Sequence, residues 1–328
     1  MEKIDFVVTW VDGNDPIWQT KKAHYQTKNP LLNSEARYRN WQFLHYWFRS
    51  VEKNAPWVNR IFLITEGHLP SWLNTAHPKL VHVRHEDYIP AEYLPTYNSN
   101  VIELHIHRIK ELSSQFVLFN DDMFLNRQMR PTDFFSAGKP RDFGIFSPLV
   151  PQANSLDTVI LKMNQLINQH FSKQSILKGH FSQYFNLKYG RQLLKNFCVL
   201  PWQGVLGFYD PHLPVAYLKS TFEDVWQIEQ AELERISQHR FRESDDISHW
   251  LMRYWQLASG NFEPQPISVG KNYLIGELPI DIEREINQGK HSLVCLNDND
   301  FLKNFNRAKE MILTAFDNRY PEKSAFEK

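Results

Sequence analysis

Asp121 and Asp122 stand side by side at the end of the run FVLFN, Phe116–Asn120. Adjacent carboxylates repel unless a cation, an arginine or water neutralises them. The pair is therefore the first candidate for a divalent ion, Mg2+ or Mn2+. Such ions take oxygen ligands and bind through one or two protein carboxylates together with substrate phosphates. A turn after a strand also favours aspartate, which leaves a purely local reading open. Asp12, in VDGND, follows another apolar run and carries the same two readings: a functional carboxylate, or a turn residue bonding backbone amides. His212 lies between Pro211 and Pro214, whose rings restrict the backbone and could hold the imidazole as a general base. The alternative is a histidine packed in a stiff loop. Arg242, in HRFRESDDISHW, suits a phosphate clamp, because a guanidinium grips phosphate oxygens in a bidentate manner. An ion pair with a neighbouring aspartate is its other reading, while Asp245 or Asp246 reads as the cap of a following helix.

These groups need elements to carry them. Ile4–Val11 is a β-branched and aromatic run, too short for a helix and stopped by Asp12 and Gly13, so it reads as a buried strand. Arg60–Thr65, Leu80–Arg84 and Phe116–Phe119 read as three more strands. Arg37–Lys53 and Ser99–Leu112 show helical spacing, the latter capped by Asn98 or Ser99. Strands alternating with helices imply an α/β fold: a mostly parallel Rossmann-like (GT-A-like) sheet flanked by helices. Ligands gather at the carboxyl ends of such strands, which brings Asp12 and the Asp121–Asp122 pair to one rim.

The second half is more helical, with amphipathic patterns over Thr158–Gln169, Ser172–Phe197, Ser220–Ser237 and Asp246–Ala258. Pro201–Pro214 reads as an ordered loop, and Tyr273–Ile275 and Ser292–Leu296 as short strands. We expect one catalytic domain over residues 1–316, with a variable helical insertion at about residues 137–200 and a charged, fraying tail at 317–328.

Composition narrows the class. Lys plus Arg (37) equal Asp plus Glu (37), so no overall basic field points to nucleic acid. No apolar run is long enough for a spanning helix and no signal segment follows Met1, so a soluble, cytoplasmic protein is expected. Cys198 and Cys295 cannot form a disulfide framework and read as core thiols. The chain has no GxxxxGK[ST] loop, no GxGxxG after the first strand and no GxSxG elbow, which argues against a P-loop nucleotidase, a dinucleotide oxidoreductase and a serine hydrolase.

Four ordered blocks carry a resemblance. They are IDFVVTWVDGNDPIW (Ile4–Trp18); a region from Arg37 to Phe135 containing RYRNWQFLHYWF, LPTYNSNVIE and FVLFNDDMFL; DPHLPVAYLKS from Asp210 with RFRESDDISH from Arg240; and LVCLNDND from Leu293. In these blocks the chain resembles the Stealth family of sugar-1-phosphate transferases. The resemblance implies transfer of hexose-1-phosphate from a nucleotide sugar to a glycan hydroxyl, forming a phosphodiester and releasing a nucleoside monophosphate, in capsule or cell-surface polysaccharide synthesis. It marks Asp12, Asn98, Ser99, Glu103, Asn120, Asp121, Asp122, His212, Lys219, Arg242, Asp246, Asn297 and Asp298 as matching motif positions.

Under that resemblance Asp121, Asp122 and Asp298 are expected to hold Mg2+ (or Mn2+). His212 is the expected base, with Asp12 its competitor, and Arg242 stabilises the transferred phosphate. Asn98, Ser99, Glu103, Lys219, Asp246 and Asn297 are expected to bind substrate, Lys219 assisting Arg242. The expected partners are the nucleotide-sugar donor and the glycan acceptor, with no nucleic acid and with peripheral association at a membrane polysaccharide assembly complex. Two other readings remain at this stage: a metal-dependent glycosyltransferase that releases a nucleoside diphosphate, and a non-catalytic carbohydrate-binding protein.

Overall fold

The computed structural model describes residues 2–25, 33–150 and 157–328. Eleven strands run among them: β1 (Ile4–Thr9), β2 (Ile61–Thr65), β3 (Leu80–Arg84), β4 (Gln115–Asn120), β5 (Met123–Leu125), β6 (Phe135–Ser136), β7 (Lys139–Asp142), β8 (Val215–Leu218), β9 (Glu263–Pro264), β10 (Gly270–Leu274) and β11 (Leu293–Asn297). The main sheet has the order β3-β2-β1-β4-β8. Its first four strands are parallel and β8 is antiparallel to β4. In β1, Ile4, Phe6 and Val8 enter one apolar cluster and Val7 the other, so the sheet is covered on both faces, as a continuous apolar run requires. The helix Leu44–Asn54 packs on one face through Trp47, whose ring meets Phe119 at 5.5 Å. Truncating such a fully buried ring costs about 3–5 kcal/mol.

The register pairs Thr9 of β1 with Asn120 of β4. The chain leaves both adjacent strands at the same rim, where the strand order reverses and an open α/β sheet offers its crevice. From Asp122 it continues directly into β5, which pairs antiparallel with β11, Met123 opposite Cys295. The Leu296 N–H donates to the Asp122 carbonyl at 2.9 Å, so the exit of β11, Asn297 and Asp298, reaches that rim too.

Several expectations are corrected. Arg37–Phe43 is not helical: after a 3-10 turn at Glu35–Tyr38 the segment is irregular, Gln42 has φ 61°, and the helix starts only at Leu44. The helix from Ser99 ends at Leu104. Ser172–Phe197 divides into Lys173–Tyr184, a 3-10 segment at Leu187–Gln192 and Leu193–Cys198. Part of the expected insertion, residues 151–156, lies outside the described residues. Asp246 caps no helix, since the next one starts at Trp250. The tail is docked: Tyr320 and Phe326 are buried, and Arg49 grips both Glu327 carboxylate oxygens at 2.7 Å. Cys198 is exposed, whereas Cys295 is buried. No helix among the described residues is long and apolar enough to cross a membrane.

Candidate active site

A cavity of about 650 Å3 opens at the rim where β1, β4 and β11 end. Ser99, Glu103, Asp121, Asp122, His212, Arg242, Asn297 and Asp298 line it, so eight of the expected site residues meet there from five separate stretches of chain.

On its acidic side Asp121 and Asp122 sit at the end of β4. Burial, reinforced by the neighbouring Asp122, pushes the Asp121 carboxyl up to about 7. Burial also raises Asp122, with His212 acting in the opposite sense. Asp122 Oδ2 accepts from the Cys295 thiol at 3.5 Å, and Asp122 Oδ1 is buried with no hydrogen-bond partner among the described residues. Asp298, at the end of β11, uses Oδ1 to accept from the Asn299 N–H at 2.6 Å and from Arg39 at 3.3 Å. Burial raises its carboxyl; the Trp41 indole lies near enough to favour the charged form but makes no hydrogen bond of ordinary geometry.

This donor set fits a hard divalent cation. It offers carboxylate oxygens, including Asp122 Oδ1, which is buried without a partner among the described residues. Among the described residues the ligand atoms that come within 4.8 Å of one another as a trio are those of Asp122, His212 and Cys295; Asp121 and Asp298, expected beside Asp122, are not part of that trio. Burial pushes the Cys295 thiol well up, in keeping with its donating to Asp122.

His212 faces the acidic side from the loop between Phe208 and β8. Its φ of 50° is a left-handed conformation that costs a non-glycine residue on the order of 1 kcal/mol, so neighbouring contacts must enforce it. Asp210 supplies one anchor: Arg253 donates to Asp210 Oδ1 at 2.8 Å and the Tyr254 hydroxyl to Oδ2. Arg253 also grips both oxygens of Asp142 at 2.7 and 2.8 Å, tying the loop to β7. Burial lifts Asp210 to about 6 despite Arg253.

On the basic side Arg242 donates through Nη2 to Ser99 Oγ at 2.6 Å, while Nη1 is buried without a partner among the described residues. Its backbone is clamped by Asn33 in both directions at 3.1 Å. Arg37, from the 3-10 turn, and Arg39, from the irregular segment before Leu44, add two cations. Gly13 allows that approach, because a Cβ there would lie 1.8 Å from the Tyr38 carbonyl oxygen. Deeper in the cavity, burial pushes Glu103 up to about 8 and its neighbour His249, 3.5 Å away, down to about 3.

Four expected site residues stand elsewhere. The Asp12 carboxylate accepts from the Asn14 N–H and the Asn40 amide, both at 3.0 Å, and thereby holds the segment that carries Arg37 and Arg39. Asn98 and Asp246 form a buried latch: the Asn98 amide donates to Asp246 at 2.8 Å, and Asp246 also accepts from Asn100 and His239. The latch ties the start of the Ser99 helix to the loop bearing Arg242. Lys219 follows β8, whose last residue, Leu218, pairs with Gln115 at the start of β4. That is the opposite rim, roughly 17 Å from the aspartates at about 3.3 Å per strand residue, and the Lys219 ammonium donates to the Ile109 carbonyl at 3.0 Å.

Sequence reasoning did not single out Arg37, Arg39, Asp210, Arg253 or His249. Only Asp210 carried a local signal, an acid in a loop of prolines and aromatics that must find a partner if buried. A second cavity, of about 730 Å3, lies beyond Asp210 and Pro211 and is rimmed by Leu187–Gln192, Lys271 and His291.

Comparison with known proteins places the chain in a family. The profile of Stealth protein conserved region 1 matches residues 2–30, that of conserved region 2 residues 37–142 and that of conserved region 3 residues 211–258. Over its whole length the chain is 51% identical to the capsular polysaccharide phosphotransferase WcwK of Streptococcus pneumoniae, covering 99% of that protein. It is 41% identical to the exopolysaccharide phosphotransferase cps2G of Lactiplantibacillus plantarum over 99% of this chain and 96% of that one, and 40% identical to the receptor polysaccharide phosphotransferase WefC of Streptococcus oralis over the full length of both. With β1, the Asp121–Asp122 rim and the His212–Arg242 face all falling inside the matched regions, the chain belongs to the Stealth family.

Proposed function

We propose that this protein transfers a hexose-1-phosphate from a nucleotide sugar to a hydroxyl of a glycan acceptor in cell-surface polysaccharide synthesis. One observation carries the reading: an acidic wall, a strained histidine and an arginine with an uncommitted N–H share one cavity, in a chain 51% identical to a capsular polysaccharide phosphotransferase. Phosphoryl transfer asks for in-line positioning and for neutralisation of oxygen charge, and these groups supply both.

In this reading Asp121, Asp122 and Asp298 would hold Mg2+ (or Mn2+), which would supply positive charge against the donor diphosphate. Arg242, fixed by Ser99, turns Nη1 to an oxygen of the sugar-bearing phosphate. Arg37 and Arg39 add positive charge on the same side. His212 takes the proton of the acceptor hydroxyl as its oxygen attacks the sugar-bearing phosphorus. The bond that breaks joins this phosphorus to the bridging oxygen; that oxygen leaves with the nucleoside monophosphate, and the sugar keeps its own C1–O bond. Asn297, which lines the cavity, is assigned to substrate binding. The site works on the cytoplasmic side, peripheral to the membrane assembly that receives the product.

The test is product analysis after incubation with Mg2+, UDP-, GDP- and CDP-sugars and short glycan acceptors. Acceptor-dependent nucleoside monophosphate is the expected product. Nucleoside diphosphate would mean glycosyl transfer instead.

A further inference from the structure

Between Thr158 and Tyr209 the chain contains no aspartate or glutamate, although 37 acidic residues in 328 would place about six in a stretch of 52. The same stretch carries Lys162, Lys173, Lys178, Lys188, Arg191 and Lys195. Lys162 is paired with Glu232, and Lys173 is buried beneath the carbonyls of Val199, Leu200 and Trp202. Among the described residues the other four meet no carboxylate: Lys188 donates to the Pro264 carbonyl, Lys195 to Ser147 Oγ, and Lys178 and Arg191 are exposed. The segment's own charges are thus all positive, with Glu263, adjacent to the Pro264 that Lys188 reaches, as an acidic neighbour from another element.

That surface is also apolar. Phe181, Leu187, Leu194, Phe197, Leu200 and Trp202 are all exposed, Leu187 by 88% and Trp202 by 54%. The rings are contiguous: Phe181 stacks on Phe185 at 4.3 Å, and Phe185 meets Phe197 edge-on at 4.8 Å. Large exposed apolar groups gathered in a segment whose own charges are all positive mark a docking surface. Phenylalanine, leucine and tryptophan beside lysine and arginine match an anionic lipid interface, where the apolar groups enter the headgroup boundary and the cations face the headgroups. A single-stranded nucleic acid would need free ring faces on which bases stack. Here Phe181 and Phe185 cover one another, and half of the exposed apolar groups are leucines.

We propose that residues 173–202 form a peripheral docking surface for an anionic phospholipid bilayer. The second cavity opens on its rim, through Leu187, Lys188 and Arg191, and reaches Asp210 and Pro211 beside His212. Docking therefore turns toward the membrane a cavity that adjoins the catalytic loop. The inference rests on surface charge and exposure and not on the transfer reaction, so vesicle binding without turnover would leave it standing.

Co-sedimentation of the full chain with vesicles tests it. Binding is expected to vesicles of equal parts phosphatidylglycerol and phosphatidylcholine, not to phosphatidylcholine alone, and to weaken at high salt. Lys178→Gln and Arg191→Gln are each expected to lower the binding constant roughly fivefold, and Phe181→Ser with Phe197→Ser by at least about as much. Melting temperature and turnover of a soluble acceptor should not change in these variants. Trp202→Ser serves as a second apolar probe if the double variant fails to fold. Absence of vesicle binding, equal binding to neutral vesicles, indifference to these substitutions, or preferential capture of single-stranded nucleic acid would each overturn the proposal.

Discussion

The Cys295 thiol donates to Asp122 Oδ2 across the β5–β11 pairing, at 3.5 Å, and leaves Oδ1 as the free oxygen at the cavity wall. A strand from one sheet thereby orients the carboxylate at the end of a strand from another. If these oxygens hold the divalent ion, Mg2+ should raise the melting temperature, by the equivalent of about 2.7 kcal/mol at a hundredfold excess over Kd. Asp122→Asn should abolish that shift. Cys295→Ala should weaken the ion about tenfold with little change in kcat at saturating metal, and Cys295→Ser should restore it. Conversion from a preference for Zn2+ or Cd2+ to none in Cys295→Ser would instead make the sulfur a ligand.

His212 combines a candidate chemical role with a strained backbone. His212→Ala should lower kcat by roughly 10²- to 10⁴-fold, with donor KM little changed. Because the strain belongs to a side chain at φ 50°, His212→Gly should be equally inactive yet melt at or above His212→Ala. Thermal melting and steady-state kinetics of the two variants check both halves, and a folded His212→Ala with normal turnover would remove His212 as the base.

Arg242 and Lys219 separate cleanly. Arg242→Ala should cost about 10²- to 10³-fold in kcat/KM, the usual loss for one charge-stabilising donor. Lys219→Ala should leave kinetics close to those of the unsubstituted chain, because its ammonium lies at the other rim and serves the Ile109 carbonyl. A loss in Lys219→Ala comparable to that in Arg242→Ala would contradict the placement.

Glu103 predicts a pH dependence of stability. Its folded carboxyl titrates at about 8 and its unfolded one near 4.5, so the folded state holds the proton that the unfolded state has lost. Stability therefore falls as pH rises between these values. His249, held neutral down to about 3, acts in the other direction but only below its ordinary 6.5. Between pH 6.5 and 8 Asp121, raised to about 7, and His239, raised by Asp246, add to the decline in the same direction, so the share of Glu103 is the part that its substitution removes. Glu103→Gln should flatten the decline there and stabilise the fold at pH 8 by an amount on the order of a few kcal/mol. Chemical denaturation across that range reads it out.

The parallel core of the main sheet was legible because β1 to β4 are short apolar runs that end in polar residues, and the Asp121–Asp122 pair announced its position at a strand end. The segment Arg37–Phe43 was not, since Trp41 and Phe43 continue the apolar spacing of the helix behind them while Gln42 turns the backbone to positive φ. Lys219 shows a different limit. Its motif position is clear, but the direction of β8 is set by pairing with β4, about a hundred residues earlier, and that direction sends it to the far rim. Asp210 depends on Arg253 and Tyr254 in the same way. The tail looked charged because Tyr320 and Phe326, which anchor it, are isolated among polar neighbours.

The central claim, that the sugar travels with its phosphate, is tested most directly by isotope. A nucleotide sugar carrying ¹⁸O between C1 of the sugar and its phosphorus is incubated with the protein, Mg2+ and acceptor, and the products are resolved by mass and by ³¹P resonance. The account predicts that all of the label stays in the sugar–phosphate–acceptor diester, with unlabelled nucleoside monophosphate released. Label in a released nucleoside diphosphate would show that the C1–O bond had broken and would contradict it.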